Sequence, residues 1–359
     1  MSRISFPADE KHVRTGGRTF DENGLRYIDY TCSFVEFEFE GTYAEADIIS
    51  DLTPSEDMFR GWLAVVVNDE QTQRFKVDEK SGTYTLYKSD EPNRVKIRIM
   101  KISEAAFAKI AIEKITIEGD LLPPPKPQSE RQIEFVGDSI TCGYGIEGVW
   151  NVDTFSTETE NPLKGYAYKT AKKCSAEYQY VSWSGMGVIS CYVDENAEKP
   201  LDGWLMRDIY PYNDSGLENT LGREGHENHR LWDFSKYIPQ VVVFNDGTND
   251  QSWTKDIPER REDFKAAYYE ILEMIRKNNP EAYIVCTYGV MGDELAEEEI
   301  SLVERFKQEH DGKICFVRLP VQLESDGIGA DWHPSETTHE KVSDILAKKI
   351  NEIFEGMGL

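Results

Sequence analysis

Few cysteines, no long apolar run and no excess of positive charge mark this chain of 359 residues, and each shortage removes a class of function. Six cysteines (Cys32, Cys142, Cys174, Cys191, Cys286 and Cys315) fall singly with no Cys-x-x-Cys spacing, which reads as buried thiols and not as a disulfide framework. Lysine and arginine number 40 against 66 aspartates and glutamates, a net charge of −26 that argues against nucleic acid and anionic membrane as partners. No stretch approaches the roughly 18 consecutive apolar residues of a membrane span. The opening MSRISFPADEKHVRTGGRTF has no apolar core of the secretory type, so the expected location is cytoplasmic. There is no Gly-x-Gly-x-x-Gly and no phosphate-binding loop. His226 and His229, in Gly-His-Glu-Asn-His, lack both zinc-helix spacing and a nearby third ligand. No cofactor and no metal are expected.

What is present divides the chain in two. Over the first ~120 residues apolar side chains alternate with polar ones, the period of half-buried strands. Val35, Phe37 and Phe39 face away from Glu36, Glu38 and Glu40, and Val95, Ile97 and Ile99 alternate with Lys96 and Arg98. Ile110, Ile112, Ile115 and Ile117 continue the pattern through a break in register that implies a bulge or a short turn. Many short strands with one apolar face predict an antiparallel, all-β jelly-roll sandwich over residues 1–122. Pro123, Pro124, Pro125 and Pro127 then form a stiff spacer, 123–130.

From 131 to 359 the rhythm changes. Strands are predicted at 133–136, 178–182, 241–245, 283–287 and 314–318, and helices at 163–175, 259–277, 294–309 and 336–354. Alternation of this kind predicts an α/β domain with a mainly parallel sheet and helices on both faces. The stretch from about 189 to 235 has weak periodicity and is the expected rim of a site.

Four segments carry chemistry. Gly137-Asp138-Ser139-Ile140-Thr141 follows the first strand of the second half, where a tight turn exposes a hydroxyl at the strand's carboxyl end. A serine there needs a base and a place for the oxyanion. Gly185-Met186-Gly187 could present a backbone N–H, or simply turn the chain. Asn249, in Gly247-Thr248-Asn249-Asp250, could donate a side-chain hydrogen bond, although the composition is also that of an ordinary loop. His333 lies in a loop ahead of Pro334, with Ser335 or Thr337 as the cap of the next helix. In extended backbone Asp331, two residues earlier, would point the same way and reach the ring. Together these are a nucleophile, two oxyanion donors and a base beside a carboxylate.

In this order and at these strand ends, the segments resemble the four blocks of the SGNH (GDSL-type) hydrolases. The resemblance implies an SGNH, flavodoxin-like three-layer domain. It makes Ser139 the nucleophile, with its own backbone N–H, the Gly187 N–H and the Asn249 side chain around the oxyanion. One residue, Trp332, separates Asp331 from His333, where most family members have two. That spacing and the preceding β domain resemble carbohydrate esterase family 2, whose members remove O-acetyl groups from plant cell-wall sugars. Within that family the histidine is completed either by an aspartate or by a backbone carbonyl, so the resemblance implies a Ser139–His333–Asp331 triad or a Ser139–His333 dyad. The implied partner is an acetylated oligosaccharide or polysaccharide such as acetyl xylan, with Trp253, Trp332 and Asp138 as candidate substrate contacts. A broader acyl esterase, lysophospholipase or thioesterase on the same scaffold, or a catalytically dead carbohydrate-binding protein, are the alternatives. A homo-oligomer is compatible with the sequence.

Overall fold

A computed structural model describes residues 2–51 and 57–359. It consists of two compact units, Met1–Pro127 with Ser156–Glu158, and Gln128–Phe155 with Thr159–Leu359.

The first unit is antiparallel throughout. Its described strands are β1 (Arg3–Phe6), β2 (Arg14–Gly16), β3 (Phe20–Glu22), β4 (Leu25–Tyr27), β5 (Phe34–Ser50), β6 (Trp62–Val67), β7 (Glu70–Lys76), β8 (Ser81–Lys101) and β9 (Ile110–Leu121). They pair in the order β3-β4-β9-β5-β8-β6-β7, with β1 added on β9 and β2 on β5. The sandwich expected from the alternation is thus one continuous sheet curled about a single core. The long strands β5 and β8 make this work by changing register. Between Gly41 and Tyr43 two steps along β5 oppose one step along β9, from Gly119 to Glu118. A bulge of this kind flips the parity of the strand. Val35, Phe37 and Phe39 before it, and Ala44, Ala46 and Ile48 after it, therefore enter the same core. Glycine is required at the crossing, because a Cβ on Gly41 would stand 2.1 Å from the Glu118 carbonyl oxygen. The break expected between Ile112 and Ile115 is also present, as a register shift opposite Asp47 and Ile48.

The second unit holds a five-stranded parallel sheet of β10 (Gln132–Gly137), β11 (Glu177–Ser182), β12 (Val241–Asn245), β13 (Tyr283–Tyr288) and β14 (Ile314–Arg318). Its order is β11-β10-β12-β13-β14. Near-continuous burial along β10, β12 and β13 is the signature of a sheet covered on both faces. The helices are α1 (Ser139–Cys142), α2 (Tyr166–Lys173), α3 (Met206–Ile209), α4 (Ser215–Thr220), α5 (Thr248–Thr254), α6 (Pro258–Asn278), α7 (Ala296–Glu309) and α8 (Glu336–Met357). Pro258 opens α6, and its buried stripe of Phe264, Tyr268, Ile271, Leu272 and Ile275 follows the helical period. The chain reverses its direction across the sheet after β11, so right-handed crossovers put α2 and α8 on one face and α6 and α7 on the other. No helix among the described residues is long and apolar enough to cross a membrane.

This order creates a switch point between β10 and β12, whose carboxyl ends face the same crevice. Ser139 follows the first of these strands and Asn249 follows the second.

Candidate active site

The nucleophile block is locked by its own backbone. Gly137 ends β10 where a Cβ would meet Thr141 Oγ1 at 2.4 Å and the Asn245 carbonyl oxygen at 2.5 Å, so no other residue fits the turn. Asp138 caps α1, its carboxylate accepting the Ile140 N–H at 2.9 Å. Gly143, at φ 75°, then closes this single helical turn in a left-handed conformation. The Ser139 side chain is left at the floor of the crevice, with the residue 6% exposed.

The second block turns sharply after β11. Gly187 has no room for a side chain, since a Cβ would lie 2.2 Å from the Ser190 carbonyl oxygen and 2.6 Å from Asp250 Oδ2. Beyond it the N–H groups of Val188, Ile189 and Ser190 all donate to the Asp250 carboxylate, at 2.7–3.1 Å. Asp250 lies in the first turn of α5 beside Asn249, so the third block fixes the shape of the second. Burial raises the Asp250 carboxyl above its ordinary range, and these three N–H groups hold it down. Asn249 Nδ2 donates to the Met186 carbonyl at 2.6 Å and to Asp138 Oδ2 at 3.3 Å. It therefore bridges the residue before Gly187 to the residue before Ser139.

His333 closes the site from the carboxyl-terminal side. Its Nε2 lies 2.9 Å from Ser139 Oγ. Its Nδ1 lies 3.1 Å from the backbone carbonyl oxygen of Asp331. A carbonyl only accepts, so Nδ1 carries the proton and Nε2 is free to accept the serine hydroxyl. Burial lowers the His333 pKa to about 4, against a smaller upward pull from the Asp331 and Ala330 backbone. At neutral pH the ring is an uncharged base already aimed at its nucleophile.

The Asp331 carboxylate does not reach that ring. Asp331 is at φ 47°, ψ 42°, and Trp332 is also left-handed at φ 65°. The extended backbone that would align positions 331 and 333 is absent, and the carboxylate instead accepts from the Tyr144 hydroxyl at 2.5 Å. Of the two arrangements, the geometry is that of a dyad completed by a carbonyl. Tyr144 is a residue that sequence reasoning missed. It lies within the glycine turn after α1, 4% exposed, with its ring centroid 4.0 Å from that of His333. An aromatic between Gly143 and Gly145 was the available signal, and it reads equally well as packing.

The candidate substrate contacts are not alike. Asp138 is 0% exposed, its carboxylate spent on capping α1 and on Asn249, so it braces the nucleophile and has no face for a ligand. Trp253, on α5, lies under the Arg260 guanidinium at 3.5 Å. Trp332 packs edge-on against Trp150 with centroids 4.4 Å apart, next to His333 in sequence. The stretch 189–235 is more ordered than its weak periodicity implied. It contains α3 and α4, and the fully buried Glu218 is bridged by Arg223 and Arg230. His226 and His229 sit there against Trp204 and Tyr212, their rings 5.2 Å apart. Among the described residues no group of three or more His, Cys, Asp or Glu is placed to hold a metal ion. The six cysteines are free, and Cys142 lies under the nucleophile turn with its Sγ 3.3 Å from Ser182 Oγ.

Residues 15–125 match the family described as carbohydrate esterase 2 N-terminal, and residues 135–341 match the GDSL-like lipase/acylhydrolase family. The chain is 34% identical over 336 residues to the cellulase/esterase CelE of Acetivibrio thermocellus, covering 92% of this chain and 38% of that protein's length. It is 24% identical over 358 residues to an acetylxylan esterase/glucomannan deacetylase of Cellvibrio japonicus, covering 99% of this chain and 92% of that protein. Among solved structures it superposes, with a TM-score of 0.81 and 32% identity, on a family two carbohydrate esterase from Clostridium thermocellum in complex with cellohexaose, covering 96% and 99% of the two chains. The chain thus belongs to carbohydrate esterase family 2, with its second unit of the GDSL type.

Proposed function

We propose that the protein is a serine esterase that removes O-acetyl groups from plant cell-wall carbohydrates. The observation that carries this reading is the 2.9 Å contact of Ser139 Oγ with His333 Nε2, made by an imidazole whose proton is held on the other nitrogen. In the first half-reaction Ser139 attacks the acetyl carbonyl as His333 takes its proton. The backbone N–H groups of Ser139 and Gly187 stabilise the oxyanion, joined by the Asn249 amide as it exchanges its long 3.3 Å bond to Asp138 for one to the oxyanion. His333 then protonates the departing sugar oxygen, which leaves as a hydroxyl, and acetyl-Ser139 remains. Water, giving its proton to the same ring, attacks this ester, and His333 returns that proton to Ser139 Oγ as acetate leaves.

The substrate follows from the relatives and from the rim. Two Cellvibrio japonicus relatives are described as acetylxylan esterase/glucomannan deacetylases, so acetylated xylan and glucomannan are the leading substrates. The Trp150–Trp332 pair beside His333 offers an aromatic surface on which a sugar ring can stack. Trp253, packed beneath Arg260, is the weaker candidate for that role.

The test compares release of acetate from acetylated xylan, acetylated glucomannan and p-nitrophenyl esters of increasing chain length. Rates highest on the acetylated polysaccharides and falling from acetate to octanoate support the reading, whereas a rise toward octanoate replaces it with a general acyl esterase. Ser139→Ala should abolish turnover while keeping the melting temperature. Near-normal activity in that variant removes Ser139 as the nucleophile.

A further inference from the structure

We propose that Tyr144 is a positioning residue: its hydroxyl pins the Asp331 carboxylate, and through it the strained turn whose carbonyl aims His333 at Ser139. This rests on the esterase reading and deepens it. Two successive non-glycine residues, Asp331 at φ 47° and Trp332 at φ 65°, occupy the left-handed region. L side chains rarely adopt this conformation, so the turn persists only because its surroundings hold it. The backbone side is held by Ala330 N–H to the Gly145 carbonyl at 3.0 Å, Gly329 N–H to the His333 carbonyl at 2.8 Å, and His333 N–H to the Ala330 carbonyl at 3.0 Å. Gln322 Nε2 adds a bond to the Trp332 carbonyl at 2.7 Å. On the side-chain side of Asp331, the bond found is the one from Tyr144.

Tyr144 is built for the task. Its own N–H donates to the Ser139 carbonyl at 3.1 Å, which ties it to the nucleophile turn. Its ring stacks on Phe155 at 5.1 Å and packs against His333 at 4.0 Å. One side chain therefore grips both the imidazole and the residue that orients the imidazole. The Asp331 carboxylate becomes an anchor for its own main chain. It is not a charge partner for Nδ1.

The tether makes a distinctive pattern. Tyr144→Phe keeps the ring packing and removes only the hydroxyl. It should lower kcat about 10- to 100-fold on p-nitrophenyl acetate, the scale of a small misplacement of a reacting group, with KM within about twofold of wild type. Asp331→Ala should fall equally far, and the double variant no further, because both remove the same bond. Asp331→Asn, whose amide oxygen still accepts from Tyr144, should recover at least tenfold of the rate lost in Asp331→Ala. The His333 Nδ1–H resonance, followed by proton NMR, should be present in wild type and Asp331→Asn and broadened by exchange in Tyr144→Phe. Wild-type kcat in Tyr144→Phe, additive losses in the double variant, or Asp331→Asn as slow as Asp331→Ala would overturn the tether. An inactive wild-type enzyme would instead sink the esterase reading, and the His333 resonance would still decide the tether by its presence or loss in Tyr144→Phe.

Discussion

Gly187 and Asp250 share one small volume: the point at which a Cβ would sit on the glycine is 2.6 Å from an oxygen of the carboxylate. The same carboxylate collects the next three N–H groups of the Gly187 loop. An alanine at 187 must therefore displace either this anion or the Ser190 carbonyl, and with it the donor expected at the oxyanion. Gly187→Ala should lower kcat by roughly 10²–10³, the scale of losing one oxyanion donor, while KM for acetylated substrates changes little. Steady-state kinetics on p-nitrophenyl acetate check this, and a rate within threefold of wild type would remove Gly187 from the oxyanion site.

Asn249 is expected to behave differently from a donor that faces only the substrate. Its amide already bonds to the Met186 carbonyl and to Asp138, so truncation both removes a donor and unties the loops carrying Gly187 and Ser139. Asn249→Ala should combine a kcat loss of about 10²-fold or more with a stability loss of about 1–3 kcal/mol from the buried groups left unpaired. Asn249→Asp would place a further carboxylate next to Asp138 and should be the more damaging change to both. Denaturant melts beside kinetics separate the two effects. A melt unchanged in Asn249→Ala would show that the bridge contributes nothing to folding.

How much of this was legible beforehand depended on whether a feature is local. The strand ahead of Ser139, the stripe on α6 and the register break near Glu113 are patterns within a dozen residues, and each is found where periodicity placed it. The order of the antiparallel strands was not legible, because Phe39 pairs with Val95 and with Leu121, partners whose choice no local pattern encodes. Helix α2 starts at Tyr166 and not at 163, since Pro162–Lys164 form a separate short turn capped by Asn161. At the site, Ser139 meets His333, and Asn249 bridges the residues that precede Ser139 and Gly187. Asp331 misled because its reading assumed extended backbone, and two left-handed residues reverse the direction of its side chain. Tyr144 acts through a partner 187 residues away, a relationship that appears only once the chain has folded.

The acid limb of activity should lie well below the usual range of a histidine. Burial pushes the His333 pKa down to about 4, so the neutral base that accepts the Ser139 proton survives mild acidification. Plotted as kcat/KM on p-nitrophenyl acetate from pH 3.5 to 8, the half-maximal point should fall near 4–5, with circular dichroism confirming that the fold persists. The sign for stability is the same: a histidine whose folded pKa is depressed contributes stability that is present above about 6.5 and is lost as the pH falls towards 4. His339, buried with its Nδ1 accepting the Tyr166 N–H, is pushed down to about 3 and acts in the same direction. An activity midpoint at pH 6.5 in a folded enzyme would contradict the lowered pKa and the neutral ring.

Beneath the same crevice a group of buried carboxyls works in the opposite sense. Burial raises Glu299 and Asp246 well above the ordinary carboxyl range, and neighbouring acids, Asp250 for both and Asp138 for Asp246, push the same way. Glu299 keeps one firm partner, the Tyr268 hydroxyl at 2.9 Å, which a glutamine could equally accept. A group with a raised folded pKa contributes stability that is complete below its unfolded value, about 4.5, and is lost as the pH climbs through the folded value. Glu299→Gln fixes the neutral form and should cancel that loss. Its melting temperature, relative to wild type, should therefore rise steadily from pH 5 to pH 9, and the wild-type curve should be the steeper of the two. Parallel curves across that range would mean that Glu299 is already ionised in the folded protein, and that the floor of the site tolerates its charge.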